Sequence, residues 1–134
     1  MAAYEIPGFS WSLPSDADLS TGNGQFRFVN INATGEAVAA TAAGKAIGVR
    51  QNKPKVGEAT TIVSSGIVMV EAGEAIAIGE NIKVMGTTTT AGRAGDADTA
   101  ADTIVGVALT AAGAAGELVT VLLAAPASQS VVPA

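Results

Sequence analysis

The apolar positions of this chain fall into short runs, many with a period of two, separated by glycine-bearing turns, and this pattern predicts strands rather than helices. Phe26-Arg27-Phe28-Val29-Asn30-Ile31 reads as the first strand of the body, with Phe26 and Phe28 on one face and Val29 and Ile31 on the other. A turn at Thr34-Gly35 leads to Glu36-Ala37-Val38, and Ala39 to Lys45 is a small-residue connection with room for a short helix. Further strands are predicted over 46–49, 60–63, 66–70, 75–78, 81–85, 87–90, 104–107 and 118–123. Gly66-Ile67-Val68-Met69-Val70 is apolar at successive positions, which predicts burial on both faces and makes it the expected centre of the fold. Ala91 to Asp102 collects glycine, alanine, Arg93 and three aspartates, and reads as a surface loop or short helix.

Two stretches of the chain echo one another. Ala46-Ile47-Gly48-Val49 leads through a polar connection to Gly57-Glu58 and a strand over Thr60 to Val63. Ile104-Val105-Gly106-Val107 leads through a small-residue connection to Gly116-Glu117 and a strand over Val119 to Leu122. The repetition predicts two similar hairpin-like units forming matching corners of one small β-barrel. Five of the seven glutamates directly follow glycine, at Gly35-Glu36, Gly57-Glu58, Gly73-Glu74, Gly79-Glu80 and Gly116-Glu117. Glycine accepts positive φ where a chain reverses, so these pairs read as turns rather than as catalytic carboxylates.

All five aromatic residues lie between positions 4 and 28: Tyr4, Phe9, Trp11, Phe26 and Phe28. Pro7 and Pro14, followed by Ser15-Asp16-Ala17-Asp18 and Thr21-Gly22-Asn23-Gly24, disfavour a long helix and suit an extended arm ending in a turn. The rings have two readings. They fold back to fill a core that the alanine-rich body leaves thin, or Tyr4, Ile6, Pro7, Phe9, Trp11 and Leu13 dock into a partner or a neighbouring subunit as buried aromatics do at interface hot spots; the second is favoured. The expected organisation is an extended N-terminal arm over 1–25, a β-barrel body with little helix over 26–125, and a flexible C-terminal tail over 126–134.

Composition narrows the function. A charged fraction of 14% is well below the roughly 25% of ordinary soluble domains, and the 49% hydrophobic share is inflated by alanine, so the predicted core is thin and association with further copies is expected to supplement it. A net charge of -5 with scattered basic residues disfavours nucleic acid and anionic membranes as partners. No apolar run approaches the roughly 18 residues of a spanning helix, and no basic region precedes an apolar one at the N-terminus, so neither a membrane span nor a secretory leader is expected. The absence of cysteine and histidine removes thiolate and imidazole chemistry and the commonest zinc ligands. No enzyme and no cofactor is expected.

Individual motifs add little. Gly44-Lys45 lacks both the upstream glycine and the Ser or Thr of a phosphate loop. Asp96, Asp98 and Asp102 are spaced like calcium-loop ligands, but Ala101 and Val107 occupy the positions that need glycine and a bidentate glutamate. Arg50-Gln51-Asn52-Lys53-Pro54-Lys55, the most basic patch, reads as a solvated loop.

Ala46-Ile47-Gly48-Val49, the Gly57-Glu58 turn, Ala77-Ile78-Gly79-Glu80-Asn81-Ile82 and Ile104-Val105-Gly106-Val107-Ala108 with Gly116-Glu117 together resemble the head decoration, or capsid cement, proteins of tailed bacteriophages over roughly residues 35 to 123. The aromatic arm before residue 26 is a departure from that pattern. The resemblance implies a small β-barrel that assembles as a homotrimer on the outer surface of the capsid in the virion, after synthesis in the host bacterial cytoplasm. There it binds the major capsid protein, bridges its subunits and stabilises the shell. Two alternatives come from other classes: Val70 to Met85 also resembles a biotinyl or lipoyl carrier domain with Lys83 as the modified residue, and Tyr4 with Trp11 would suit a carbohydrate-binding module.

Overall fold

The computed structural model describes residues 5–21, 24–41, 46–86, 91–99, 102–124 and 129–132. Among them are thirteen strands and no helix, the all-β class that the alternation predicts. In chain order these are β1 (Ile6–Pro7), β2 (Ser10–Pro14), β3 (Phe28–Ile31), β4 (Ala37–Ala39), β5 (Gly48–Arg50), β6 (Ala59–Val63), β7 (Gly66–Glu71), β8 (Asn81–Met85), β9 (Arg93–Asp96), β10 (Thr103–Ile104), β11 (Gly106–Ala108), β12 (Leu118–Leu123) and β13 (Ser130–Val131). They form a five-stranded sheet in the order β2-β6-β5-β3-β4, a six-stranded sheet in the order β1-β7-β12-β11-β8-β9, and the short pair β10-β13. The barrel-like body is thus built on two antiparallel sheets whose strand orders do not themselves close among the described residues, but parallel bridges at Ser15↔Ala37 and Ala72↔Ala94 tie the residue after β2 to β4 and the residue after β7 to β9.

The sequence echo extends through the whole body. With β1 set aside, the larger sheet repeats the topology of the smaller one, β7 matching β2, β12 matching β6, β11 matching β5, β8 matching β3 and β9 matching β4. Register is kept as well: Trp11↔Ile62 and Leu13↔Thr60 correspond to Val68↔Val121 and Val70↔Val119, and Val29↔Gly48 corresponds to Ile82↔Gly106. The connections follow suit. Ser15 N–H donates to the Glu58 carbonyl at 2.9 Å and Ala72 N–H to the Glu117 carbonyl at 2.7 Å; Leu19 N–H reaches the Pro54 carbonyl at 2.8 Å and Ile76 N–H the Ala112 carbonyl at 2.9 Å. Phe26 (φ 61) even takes the left-handed place that Gly79 (φ 88) holds in the second unit, each donating its N–H at 2.8 Å to the matching carbonyl, of Arg50 and of Ala108. Each sheet is therefore one five-stranded unit, and the duplicated stretches lie at the centres of two sheets rather than at two corners of one.

Strand alternation gives each sheet two faces. The six-stranded sheet turns Val68, Val70, Ile82, Val84, Val119 and Val121 inward, where they meet Phe28, Val49 and Val63 of the five-stranded sheet in one buried cluster. Full burial of each such aliphatic side chain stabilises the fold by about 1.5–3 kcal/mol. A second buried core, Val29, Ala37 and Ile62 with Trp11, Leu13 and Ile47 against it, lies on the opposite face of the five-stranded sheet, so that sheet is covered on both sides.

Several local expectations change. In β7 only Val68 and Val70 are buried, while Ile67 and Met69 are partly exposed, because one face of that sheet has no layer on it. Residues 93–96 form β9 rather than a loop: Gly95 is held where an added Cβ would come within 2.6 Å of the Met85 sulfur, so small residues are what the site admits. Residues 75–78 make only an isolated bridge, Ile76↔Ala112. Arg50 is not solvated but buried in β5. Within the expected tail, Gln129 is buried, its amide Nε2 donating to the Ala46 carbonyl at 2.8 Å and its Oε1 accepting from Ala46 N–H at 3.2 Å, and β13 pairs with β10. The strand expected over 87–90 and the connection over 42–45 lie outside the described residues.

Candidate interaction surface

The arm is held along the crossing from β6 to β7 and supplies an edge strand to each sheet: β1 pairs with β7 and β2 with β6. Two glycines permit the close approach. A Cβ on Gly66 (φ +90) would meet the Ile6 carbonyl oxygen at 2.5 Å, and one on Gly8 would meet Ser65 Oγ at 2.5 Å. Pro7 and Pro14, lacking an N–H, suit such edge strands. Gly8 N–H donates to the Ser65 carbonyl and Ser64 N–H to the Phe9 carbonyl, each at 2.9 Å, and Phe9 N–H donates to Ser65 Oγ at 2.8 Å. The Glu5 carboxylate accepts from Met69 N–H at 3.1 Å.

This anchoring separates the six arm residues singled out in the sequence. Trp11 and Leu13 are half-buried against Ile62, Val29 and Ala37, and the Trp11 indole N–H donates at 2.6 Å to Ser64 Oγ, which in turn donates to the Ile47 carbonyl at 2.7 Å. These two follow the fold-back reading. Ile6 and Phe9 are 63% and 64% exposed, and Pro7 is exposed beside them, so apolar surface is offered outward where the arm passes from one sheet to the other. Tyr4 lies outside the described residues. Phe28 is fully buried in the main core.

The outer face of the six-stranded sheet is a second apolar surface, which sequence reasoning missed. Ile6, Ile67, Leu122 and Val107 are successive cross-strand partners on β1, β7, β12 and β11, with Leu122 46% and Leu118 38% exposed. The signal for it lay in the same period-two runs, but which of two apolar faces is covered depends on the other sheet.

Several of the charged residues are occupied in structure. Glu71 joins the units, its Oε2 accepting from Arg27 Nη2 at 3.1 Å and also from Arg93 Nε. Three of the five glycine-glutamate pairs work as turns through both residues: Gly57, Gly79 and Gly116 have positive φ, while Glu58, Glu80 and Glu117 accept from the N–H of Lys55, Ala77 and Gly113 at 2.8, 2.9 and 3.0 Å; Gly73 does not have positive φ, and Glu74 instead accepts from the distant Asp96 N–H at 2.8 Å. In the turn after β3, Asn32 and then Thr34 donate to Glu36 and hold its carboxyl below the usual range. Asp96 moves the other way, raised chiefly by burial and further by Glu80, Asp98 and Glu74. Lys83 lies inside β8, its ammonium 3.2 Å from Asp102, rather than at a hairpin tip. Among the described residues no group of three or more acidic, histidine or cysteine side chains is placed to hold a metal ion.

What the geometry defines is an all-β protein of two stacked, duplicated sheets with apolar side chains presented on its edge and on one outer face. No protein-family model matches the chain, and no curated protein matches it. Among solved structures it is similar to the head fiber gp8.5 N base of bacteriophage phi29, with 20% sequence identity, a TM-score of 0.64, and coverage of 87% of this chain and 93% of that one. At that identity the likeness is one of fold.

Proposed function

We propose that this chain is a non-enzymatic structural protein of a phage virion. It is made in the host cytoplasm and binds the outer surface of the capsid as a homotrimer, with the major capsid protein as its partner. The observation that carries the reading is the fold shared along nearly the full length of a phage head fiber base; the exposed Ile6, Pro7 and Phe9 supply a contact surface that a folded monomer has no use for. A site composed of adjacent shell subunits exists only when those subunits are correctly juxtaposed, so a protein that binds there stabilises the lattice by linkage. Three linked copies strengthen the grip through effective concentration.

Co-sedimentation of the purified protein with expanded phage capsids that lack it tests the reading. The wild type pellets with capsids at near-physiological salt. Phe9→Ser, at a position too exposed to alter folding by more than about 0.5 kcal/mol, stays in the supernatant while keeping its circular dichroism. A wild type that remains in the supernatant contradicts the proposal.

A further inference from the structure

The core of the first unit contains two polar side chains that the fold itself does not require. Arg50 on β5 is the cross-strand partner of Ile62 on β6, and Thr60 lies two residues before Ile62 on the same strand face, so both point into the buried core of Val29, Ala37 and Ile62. In the second unit the matching places belong to Ala108 and Val119: Ala108↔Val121 corresponds to Arg50↔Ile62, and Val70↔Val119 to Leu13↔Thr60. Ala108 and Val119 are as deeply buried as Arg50 and Thr60. One unit thus fills two interior positions with hydrocarbon, and the other fills the same positions with a guanidinium and a hydroxyl.

Neither polar group is satisfied. Arg50 is 2% exposed and Thr60 fully buried, and among the described residues Arg50 Nε, Arg50 Nη2 and Thr60 Oγ1 have no hydrogen-bond partner. Arginine stays charged at any ordinary pH, and a buried charge with unmade hydrogen bonds is among the costliest features a core can carry. The nearby carboxylates do not answer it. Glu71 is shared between Arg27 and Arg93, and Asp16 attracts Arg50 from an exposed position, opposed by the like charge of Arg27. The third nitrogen, Nη1, lies against Gly24, where an added Cβ would come within 3.3 Å of it. The two open donors, Nε and Nη2, form the other edge of the guanidinium, on which two parallel N–H bonds match two oxygens of one carboxylate or phosphate.

We propose that the interior of the first unit binds one small oxyanion, which accepts from Arg50 Nε and Nη2 as a bidentate pair and from the Thr60 hydroxyl. The site is too deeply enclosed for a side chain of another macromolecule to reach, so the ligand enters as a free anion from solution and becomes part of the core. Because it binds the folded chain alone, it adds stability by linkage. The proposal is independent of the capsid reading.

The test refolds the full chain from urea into buffers of one ionic strength containing sodium formate, sodium phosphate or sodium chloride. Proton–nitrogen spectra follow the Arg50 Nε–H, and circular dichroism follows thermal unfolding. The Arg50 signal moves saturably with formate or phosphate and not with chloride, and at about a hundredfold excess over the dissociation constant the wild-type midpoint rises by on the order of 10 °C. Arg50→Met, at least as stable as the wild type without an oxyanion, keeps only the small rise that salt gives any protein. Thr60→Val, which keeps the shape and removes the hydroxyl, weakens binding about tenfold and replaces Arg50→Met should that variant fail to fold. An Arg50 signal that neither oxyanion moves, a response to chloride as large as that to formate and phosphate, or an equal midpoint gain in Arg50→Met overturns the proposal. A wild type indifferent to formate beside an Asp16→Asn variant that responds identifies the chain's own carboxylate as the occupant and overturns it as well.

Discussion

Gly48 and Gly106 test whether the two sheets are copies of one unit. A Cβ built on Gly48 comes within 2.5 Å of Ile62 Cγ2 and 2.6 Å of the Val63 carbonyl oxygen; on Gly106 it comes within 2.5 Å of Val121 Cγ1 and 2.6 Å of the Leu122 carbonyl oxygen. Ordinary Cβ contacts begin at 3.4 Å, so each alanine must displace its neighbour by close to 1 Å. One neighbour is a carbonyl in the ladder of a central strand pair, which cannot retreat without loosening that pairing. Overpacking of this sort costs about 1–3 kcal/mol, offset by about 0.4–1 kcal/mol from the stiffer unfolded chain. Gly48→Ala and Gly106→Ala should each therefore lower stability by roughly 1–2 kcal/mol, and by the same amount within roughly 0.5 kcal/mol. In urea, where slopes are about 1–3 kcal/mol per molar, this is a fall of about 1 M in midpoint. Gly113→Ala is the control: its nearest neighbour is the Glu117 carboxylate at 3.3 Å, and its midpoint should hold or rise slightly. If one of the matched pair proves neutral while the other is severe, the two glycines do not occupy equivalent sites and the duplication argument fails.

Arg50 is 2% exposed, and among the described residues its Nε and Nη2 have no hydrogen-bond partner; burial lowers its pKa against the pull of Asp16. Arg50→Met removes a buried charge while keeping volume, and should leave stability unchanged or raise it by about 1–4 kcal/mol; a clear loss in thermal unfolding would mean the guanidinium is better paired than the geometry indicates. Asp96 has a raised folded-state pKa, so its contribution is most favourable when protonated and declines as pH rises from the ordinary aspartate range through the folded value. Asp96→Asn should therefore be more stable than wild type at neutral pH, with the advantage vanishing toward acid; an advantage that grows on acidification contradicts the assignment. Gln129→Ala leaves the buried N–H and C=O of Ala46 without their side-chain partner, a loss of about 1–3 kcal/mol accompanied by faster amide exchange at Ala46; unchanged exchange there would show that Gln129 does not seal the segment leading into β5.

The class of fold was legible because alternation and turn chemistry are local. Gly57-Glu58 and Gly116-Glu117 announced themselves, since positive φ demands glycine and the following carboxylate closes the turn on nearby N–H groups. The extent of the duplication was not, because the correspondence is carried by backbone hydrogen bonds that hide very different side chains: Trp11 against Val68, Phe26 against Gly79, Arg50 against Ala108. Strand β9 escaped because Ala94 and Gly95 have poor strand propensity and are there for their size beside Met85. Arg50 sat in a basic stretch whose other cations, Lys53 and Lys55, are indeed exposed, and nothing local distinguished it. In the arm, the split between Trp11 and Leu13 on one hand and Ile6 and Phe9 on the other follows from which edge each residue joins, information that belongs to the sheets rather than to residues 1–25.

The central claim is that this duplicated two-sheet protein occupies the outside of a phage shell. Electron cryomicroscopy of capsids prepared with and without the purified protein, followed by a difference map, addresses it directly. The account predicts threefold clusters of density on the outer surface where capsid subunits meet, each fitting the two stacked sheets, with the Ile6 to Phe9 segment turned toward the shell. A difference map with no ordered density outside the shell, or with density on its inner surface, would contradict it.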